Sequence, residues 1–178
     1  MKKSPLLIFL AVLFAGGACK KKIGVSDAVK ADLKNYLAVE LPKSAPLFKL
    51  VGAITEKYKE AERGGGTREK GENDLATLSE GITALQKVAT STEDVKRVHA
   101  QLQEGVQKLE ISFKKLEEAE KKNDAMAAMS GIIGIIGDVM KGIKSVNDWN
   151  DDLEAGCKAN GLEKEFREFH EKYGMKAR

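Results

Sequence analysis

The sequence is poor in the residues from which most catalytic and metal sites are built. It contains two cysteines and two histidines among 178 residues. A zinc site normally uses three or four clustered ligands, and the motifs HExxH, ExxH and CxxCH are absent. No GxSxG motif marks a serine nucleophile. We therefore predict no metal site, no cofactor and no catalytic residue, and we expect a protein that is not an enzyme.

The sequence also lacks the patterns of a β protein. Alternating β-branched runs are absent, and three prolines leave most of the chain free of helix breakers. Apolar residues instead recur every three to four positions over long stretches, which indicates amphipathic helices. We predict an all-α fold.

The first of two long uncharged runs has the features of an export signal. Lys2 and Lys3 precede it, Pro5–Phe14 forms its apolar core, and only small residues stand between Phe14 and Cys19. A basic start, a short apolar core and a small-residue exit mark a secretory signal peptide. The core is too short to span a bilayer, which takes about 20 residues as a helix. We predict that residues 1–18 are a signal peptide and are cleaved.

The end of this signal, Ala15-Gly16-Gly17-Ala18-Cys19, resembles the lipobox of bacterial lipoproteins. The resemblance implies cleavage before Cys19, a diacylglycerol on its thiol and, usually, palmitate-type acylation of the new amino terminus. It therefore implies a lipidation site at Cys19 and a lipid anchor in a bacterial membrane, facing the periplasm or in the outer membrane. Gly16 departs from the pattern, which has a larger aliphatic residue there, so ordinary secretion is the alternative. The resemblance covers only residues 1–19.

The predicted mature chain has an almost balanced charge. Lys2 and Lys3 lie in the signal, so 28 basic residues would face 27 acidic ones. This balance does not point to nucleic acid as a partner. The run Lys20–Lys22 lies beside the anchor and would contact anionic headgroups or remain a solvated tether. If Cys19 is acylated, Cys157 has no partner for a disulfide within the chain, and we expect it to be a small buried apolar residue.

Capping residues, prolines and glycines divide the mature chain. We predict a lipidated cysteine and tether over 19–25 and one helical-bundle domain over 26–178. Ser26 or Asp27 would cap the first helix, and Pro42 and Pro46 would end it near Glu40 or kink it. The predicted helices are 26–62 with that break, 72–90, 93–122, 125–157 and 162–173, the last folding back over the others. Apolar seams with coiled-coil-like spacing and short connections favour an antiparallel up-and-down bundle.

The helical spacing also predicts which apolar residues form the core. These residues recur on the apolar stripes of the predicted helices. They are Leu50, Ile54, Leu78, Ile82, Leu85, Leu102, Leu109, Phe113, Ile136, Val139, Ile143 and Trp149.

The second uncharged run, Ala125–Gly137, permits two interpretations. Glycines interleave with its apolar residues, and each costs about 1 kcal/mol in a helix interior relative to alanine. Close packing against another helix would offset that cost, so we favour a buried bundle helix. Small residues also serve helix contacts in lipid, but 13 residues are too few for a span, and Asp138 and Lys141 follow.

From these patterns we expect a membrane-anchored lipoprotein of the cell envelope, acting as a non-catalytic binding or structural module. Its partners would be the membrane, through the lipid, and an envelope protein. One alternative is a carrier of an apolar ligand, held between helices near the methionine- and glycine-rich fourth helix. The other is a membrane-active protein that uses residues 125–143.

Overall fold

The computed structural model describes residues 22–62, 74–121 and 125–173, and every regular element in these ranges is helical. No strand occurs in them, so the all-α prediction is confirmed for this part of the chain. The glycine-rich segment Arg63–Gly71, which we expected to form a loop, lies outside these ranges. The α-helices are α1 (Asp27–Asn35), α2 (Ala45–Glu62), α3 (Asp74–Gln86), α4 (Glu93–Lys121), α5 (Ala125–Ala159) and α6 (Glu163–Tyr173).

The segment between α1 and α2 remains helical where we expected an end or a kink. A π-helical turn covers Tyr36–Glu40, and a 3₁₀ turn covers Leu41–Ser44. Pro42 lies at the start of the 3₁₀ turn, where its missing N–H leaves no hydrogen bond unmade. A π turn precedes Pro42 in place of the regular α-helical turn with which a proline ring would clash. The prolines therefore change the type of helix without ending it.

Local hydrogen bonds explain where several helices begin and end. The Ser26 hydroxyl accepts from the N–H of Val29 at 3.2 Å, as the capping prediction requires. At the end of α5, Gly161 has a φ of 68°, a conformation that glycine adopts without strain. The N–H of Leu162 donates to the Cys157 carbonyl at 2.8 Å, and the N–H of Gly161 donates to Lys158 at 3.2 Å. This is a Schellman cap.

The core combines residues from every α-helix and from the π and 3₁₀ turns. Ten of the twelve predicted core residues are buried, Ile82 is partly buried, and the side chain of Ile136 lies outside the described part. Phe48 stacks on Trp149 with ring centroids 6.0 Å apart and meets the edge of Phe169 at 5.4 Å. These aromatic contacts hold α6 against α2 and α5.

The longest helices, α4 and α5, form the most extensive contact in the described structure. Gln101 donates to Asp152 at 3.1 Å, and Lys115 pairs with Asp138 at 3.0 Å. Residue numbers thus rise along α4 as they fall along α5. Gly105 and Gly142 lie between these polar pairs. A Cβ atom on Gly105 would be 2.9 Å from Val146, and one on Gly142 would be 2.8 Å from Leu109. These two glycines allow α4 and α5 to approach closely, whereas Gly137, which belongs to the run for which we predicted close packing, has nothing within 4 Å of an added Cβ atom.

Candidate functional site

The described structure begins next to the predicted anchor, at Lys22. Cys19, Lys20 and Lys21 lie outside the described residues, whereas Ile23 is buried and belongs to the core. The N–H of Gly24 donates to the Asp94 carboxylate at 2.9 Å, and its carbonyl accepts from the Asn160 amide at 3.1 Å. We predicted a tether over residues 19–25. Its last part is instead fixed to the start of α4 and the end of α5.

A cavity of about 520 Å³ lies at this point, between the start of the described chain and the last turns of α5. We call it the anchor cavity. Its lining is mainly apolar, although three charged residues contribute to it. It is lined by Lys22, Ile23, Asp152, Ala155, Gly156, Lys158 and Ala159. A Cβ atom on Gly156 would be 3.0 Å from Ile23 Cβ, so glycine is what lets Ile23 lie on α5 here.

The best-developed polar site uses Asp32 of α1 to hold the loop before α4. Its carboxylate accepts from the backbone N–H groups of Ser91 at 3.0 Å and of Thr92 at 2.7 Å, and from the Thr92 hydroxyl at 2.7 Å. Asp32 is buried. A buried carboxylate is stable only when its oxygens are well hydrogen-bonded. These bonds make Asp32 a structural residue that joins α1 to the loop.

Glu40, at the end of the π turn, holds the same loop from a second position. Its carboxylate accepts from Lys43 Nζ at 2.8 Å and from the N–H of Ala89 at 3.0 Å. These bonds, that of Lys43 above all, keep the pKa of Glu40 below its usual value. The carboxylate therefore remains ionised at neutral pH and secures the loop from the opposite end to Asp32.

Both ring nitrogens of His99, which lies on α4, have a hydrogen-bond partner. Its Nε2 is 2.9 Å from the Leu85 carbonyl, and its Nδ1 is 3.0 Å from the Tyr36 hydroxyl. A carbonyl only accepts, so Nε2 carries the proton and Nδ1 accepts from Tyr36. Burial lowers the pKa of His99, and the Leu85 bond and the charge of Glu40 oppose that shift. The neutral tautomer fits both partners.

Tyr36 itself and the nearby Trp149 indole complete this buried polar region. Burial raises the pKa of the Tyr36 phenol far above its usual range, and the nearby Trp149 indole offsets only part of that rise. The Trp149 N–H itself has no partner with hydrogen-bond geometry. Tyr36 therefore stays protonated and can donate to His99 at any physiological pH.

Cys157 is buried at the end of α5, as the sequence predicts. Burial, and then the nearby carboxylates of Glu165, Glu163 and Glu154, raise the pKa of its thiol to about 12. Only the thiolate is a strong nucleophile, so this cysteine is unreactive at neutral pH. Within the described ranges, no group of three or more His, Cys, Asp or Glu residues could hold a metal ion.

Sequence reasoning did not identify Asp32 and Glu40 as buried acids, although a signal was present. Tyr36 and Glu40 continue the three-to-four spacing of Val29 and Leu33. A carboxylate on an apolar stripe indicates a buried acid that needs partners. Those partners, the N–H groups of residues 89–92, lie about 50 to 60 positions away and could not be identified from spacing alone.

The described residues cover only part of two predicted features of α5: the ligand region and the membrane-active segment 125–143. The side chains of residues 125–134 lie outside the described part, and with them most of the methionine- and glycine-rich ligand region that we predicted. Met140 is partly buried against the core. Among the described residues, no helix combines the length and apolarity needed to cross a membrane.

Comparison with known proteins gives no relative. No family model, no curated protein and no solved structure matches this chain.

Proposed function

We propose that this protein is a lipoprotein of the bacterial cell envelope, anchored through Cys19, whose helical domain is a non-catalytic binding or structural module. The observation that carries the proposal is the order of Lys2-Lys3, the apolar core Pro5–Phe14 and the small residues before Cys19. The docked position of Ile23 and Gly24 supports it, because the domain holds the chain just after the proposed anchor.

We further propose that the helices form an antiparallel up-and-down bundle. The opposite numerical order of the contacts along α4 and α5 supports this arrangement for the two longest helices. The Asp32 and Glu40 contacts fit it too, because they bring the first helical segment to the connection between α3 and α4.

The proposed anchor, Cys19, would lie close to the helical domain. Cys19 is three positions before Lys22 in sequence, and three extended residues span at most about 10 Å. The end of the domain that carries Gly24, Asp94 and Asn160 would therefore face the membrane. A fixed, short connection suits a module that presents one surface away from the bilayer.

The buried polar groups support a non-catalytic role. Asp32, Glu40 and His99 bind backbone groups of the neighbouring α3–α4 region, and this accounts for each of them structurally.

Metabolic labelling with a radioactive fatty acid tests the proposed anchor. We expect the wild-type protein to take up label and the Cys19→Ser variant to take up none, because the acyl chains are carried by residue 19. Cys157→Ser is the matched control and should label like the wild type. Equal labelling of the wild type and Cys19→Ser would contradict the proposal.

Crosslinking in intact cells tests the proposed module. We expect the lipidated protein to be captured with a discrete envelope protein, identified by mass spectrometry, and this capture to be lost when Cys19→Ser removes the protein from the membrane. Capture of the same protein by the unanchored variant, at the same yield, would show that membrane attachment is not part of the function.

A further inference from the structure

We propose that the anchor cavity holds one acyl chain of the lipid on Cys19. This inference rests on the proposed lipidation and adds a binding site to it. The protein would then contact its own lipid, and fewer of its acyl chains would lie in the bilayer.

The size and chemistry of the cavity suit an alkyl chain. Its volume of about 520 Å³ falls within the range of small-molecule sites. Ile23, Ala155 and Ala159 contribute only hydrocarbon side chains. Lys22 and Lys158 have long apolar stems that can cover a hydrocarbon while their ammonium groups stay in water.

The acidic residue of the cavity does not contradict an apolar occupant. Asp152 accepts a hydrogen bond from Gln101 at 3.1 Å. Its carboxylate is therefore engaged with α4.

Covalent connection makes this occupant more favourable than a free lipid. Cys19 is three positions from Lys22, which lines the cavity, so a chain attached to residue 19 remains within about 10 Å of it. Attachment through a short linker converts binding into an intramolecular step with a high effective concentration. A methylene that contacts Ile23, Ala155 and Ala159 loses part of its contact with water, so the cavity offsets part of the free energy that the chain gives up when it leaves the bilayer.

A photoreactive lipid tests the proposal in the lipidated protein. Cells are fed a fatty acid with a diazirine near its methyl end, and their membranes are irradiated before the protein is purified and digested. We expect a crosslink within one chain, joining the peptide that begins at Cys19 to the peptide that contains residues 152–159. Ala159→Phe should fill the cavity and remove most of this crosslink. Ala100→Phe, an equal change at an exposed position of α4, should leave it unchanged.

The possible outcomes separate this inference from the proposed function. If Cys19 carries acyl mass but gives no crosslink to residues 152–159, the inference is wrong and the lipoprotein proposal stands. If these residues crosslink only to phospholipid, the cavity holds a lipid from the membrane instead, which also overturns the inference. If Cys19 carries no acyl mass, both fail. Thermal melting checks that Ala159→Phe is folded, and Ala155→Leu provides a second filling variant.

Discussion

At the scale of single residues, the hydrogen bonds of Asp32, Glu40 and His99 decide how the first helical segment is held. Asp32 accepts from the backbone N–H groups of Ser91 and Thr92, and Glu40 accepts from that of Ala89. His99, in contrast, must be neutral to accept from Tyr36. Protonation of His99 would turn Nδ1 into a donor facing the Tyr36 hydroxyl and would place a charge in the core. Glu40 is the acidic group whose charge acts on His99 here.

Stability should therefore fall in mildly acidic solution. The pKa of His99 is lowered in the folded protein from its ordinary value of 6.5. Below about pH 6.5 the unfolded chain takes up a proton that the folded chain does not, so the free energy of unfolding decreases as the pH falls. Above that pH, His99 is neutral in both the folded and the unfolded chain and no longer changes the free energy of unfolding. Urea unfolding at pH 7.5 and pH 5.5 measures the effect.

The matched variant for this prediction is His99→Gln, which keeps an N–H donor for the Leu85 carbonyl but does not titrate. We expect a smaller loss of stability between the two pH values in this variant than in the wild type. Glu40 stays ionised at both pH values, because Lys43 and the Ala89 N–H keep its pKa below its ordinary value. Identical pH dependence in both proteins would mean that His99 is not held neutral by the fold.

At the scale of the helices, two glycines affect stability in different ways. One permits close packing of two helices, and the other only lowers the helix propensity of its segment. Gly105 faces α5, where an added Cβ would be 2.9 Å from Val146 Cγ2 and 3.0 Å from its backbone nitrogen. Gly137 has nothing within 4 Å of the same position. An added methyl group should therefore destabilise the protein at Gly105 but not at Gly137.

We predict that Gly105→Ala destabilises the protein by about 1–3 kcal/mol, because α4 and α5 must move apart to accommodate it. Gly137→Ala should be neutral or stabilising by up to about 1 kcal/mol, since alanine favours the helix and meets no neighbour. Chemical denaturation of both variants measures this. Equal changes of the same sign would contradict the α4–α5 contact described above.

Most helix boundaries could be predicted because their signals are local. Ser26 and the Asn160-Gly161 pair cap helices through bonds that span only a few residues. The π turn could not be predicted, because nothing in the residue spacing distinguishes its bond, from the Leu41 N–H to the Tyr36 carbonyl, from the bonds of a regular helix. The anchor cavity was also missed, since it arises from the close approach of Ile23 to Gly156, more than 130 positions later.

At the scale of the whole molecule, the fold depends on one continuous core that includes α4. Leu109 is fully buried in it, whereas Ile111, two positions later, is 52% exposed. We predict that Leu109→Asp costs several kcal/mol and abolishes cooperative thermal melting, because an unpaired charge would be buried. Ile111→Asp should leave the melting temperature almost unchanged. Circular dichroism melts of the two variants compare them directly, and similar losses in both would contradict the assignment of the buried face.

The proposed protein combines a helical domain with an anchor a few residues away from it. Ile23 and Gly24 fix the start of the described chain to α4 and α5, and the proposed lipid would hold that end of the domain at the membrane. The domain and its attachment are thus proposed as one unit, with Cys19 as the first residue of the mature protein.

The most direct test of this account is the intact mass of the protein isolated from the membrane fraction. We expect a chain that begins at Cys19 and carries the added mass of a diacylglycerol, usually with a further acyl chain on the amino terminus. A mature chain without acyl mass, or one that retains residues 1–18, would contradict it.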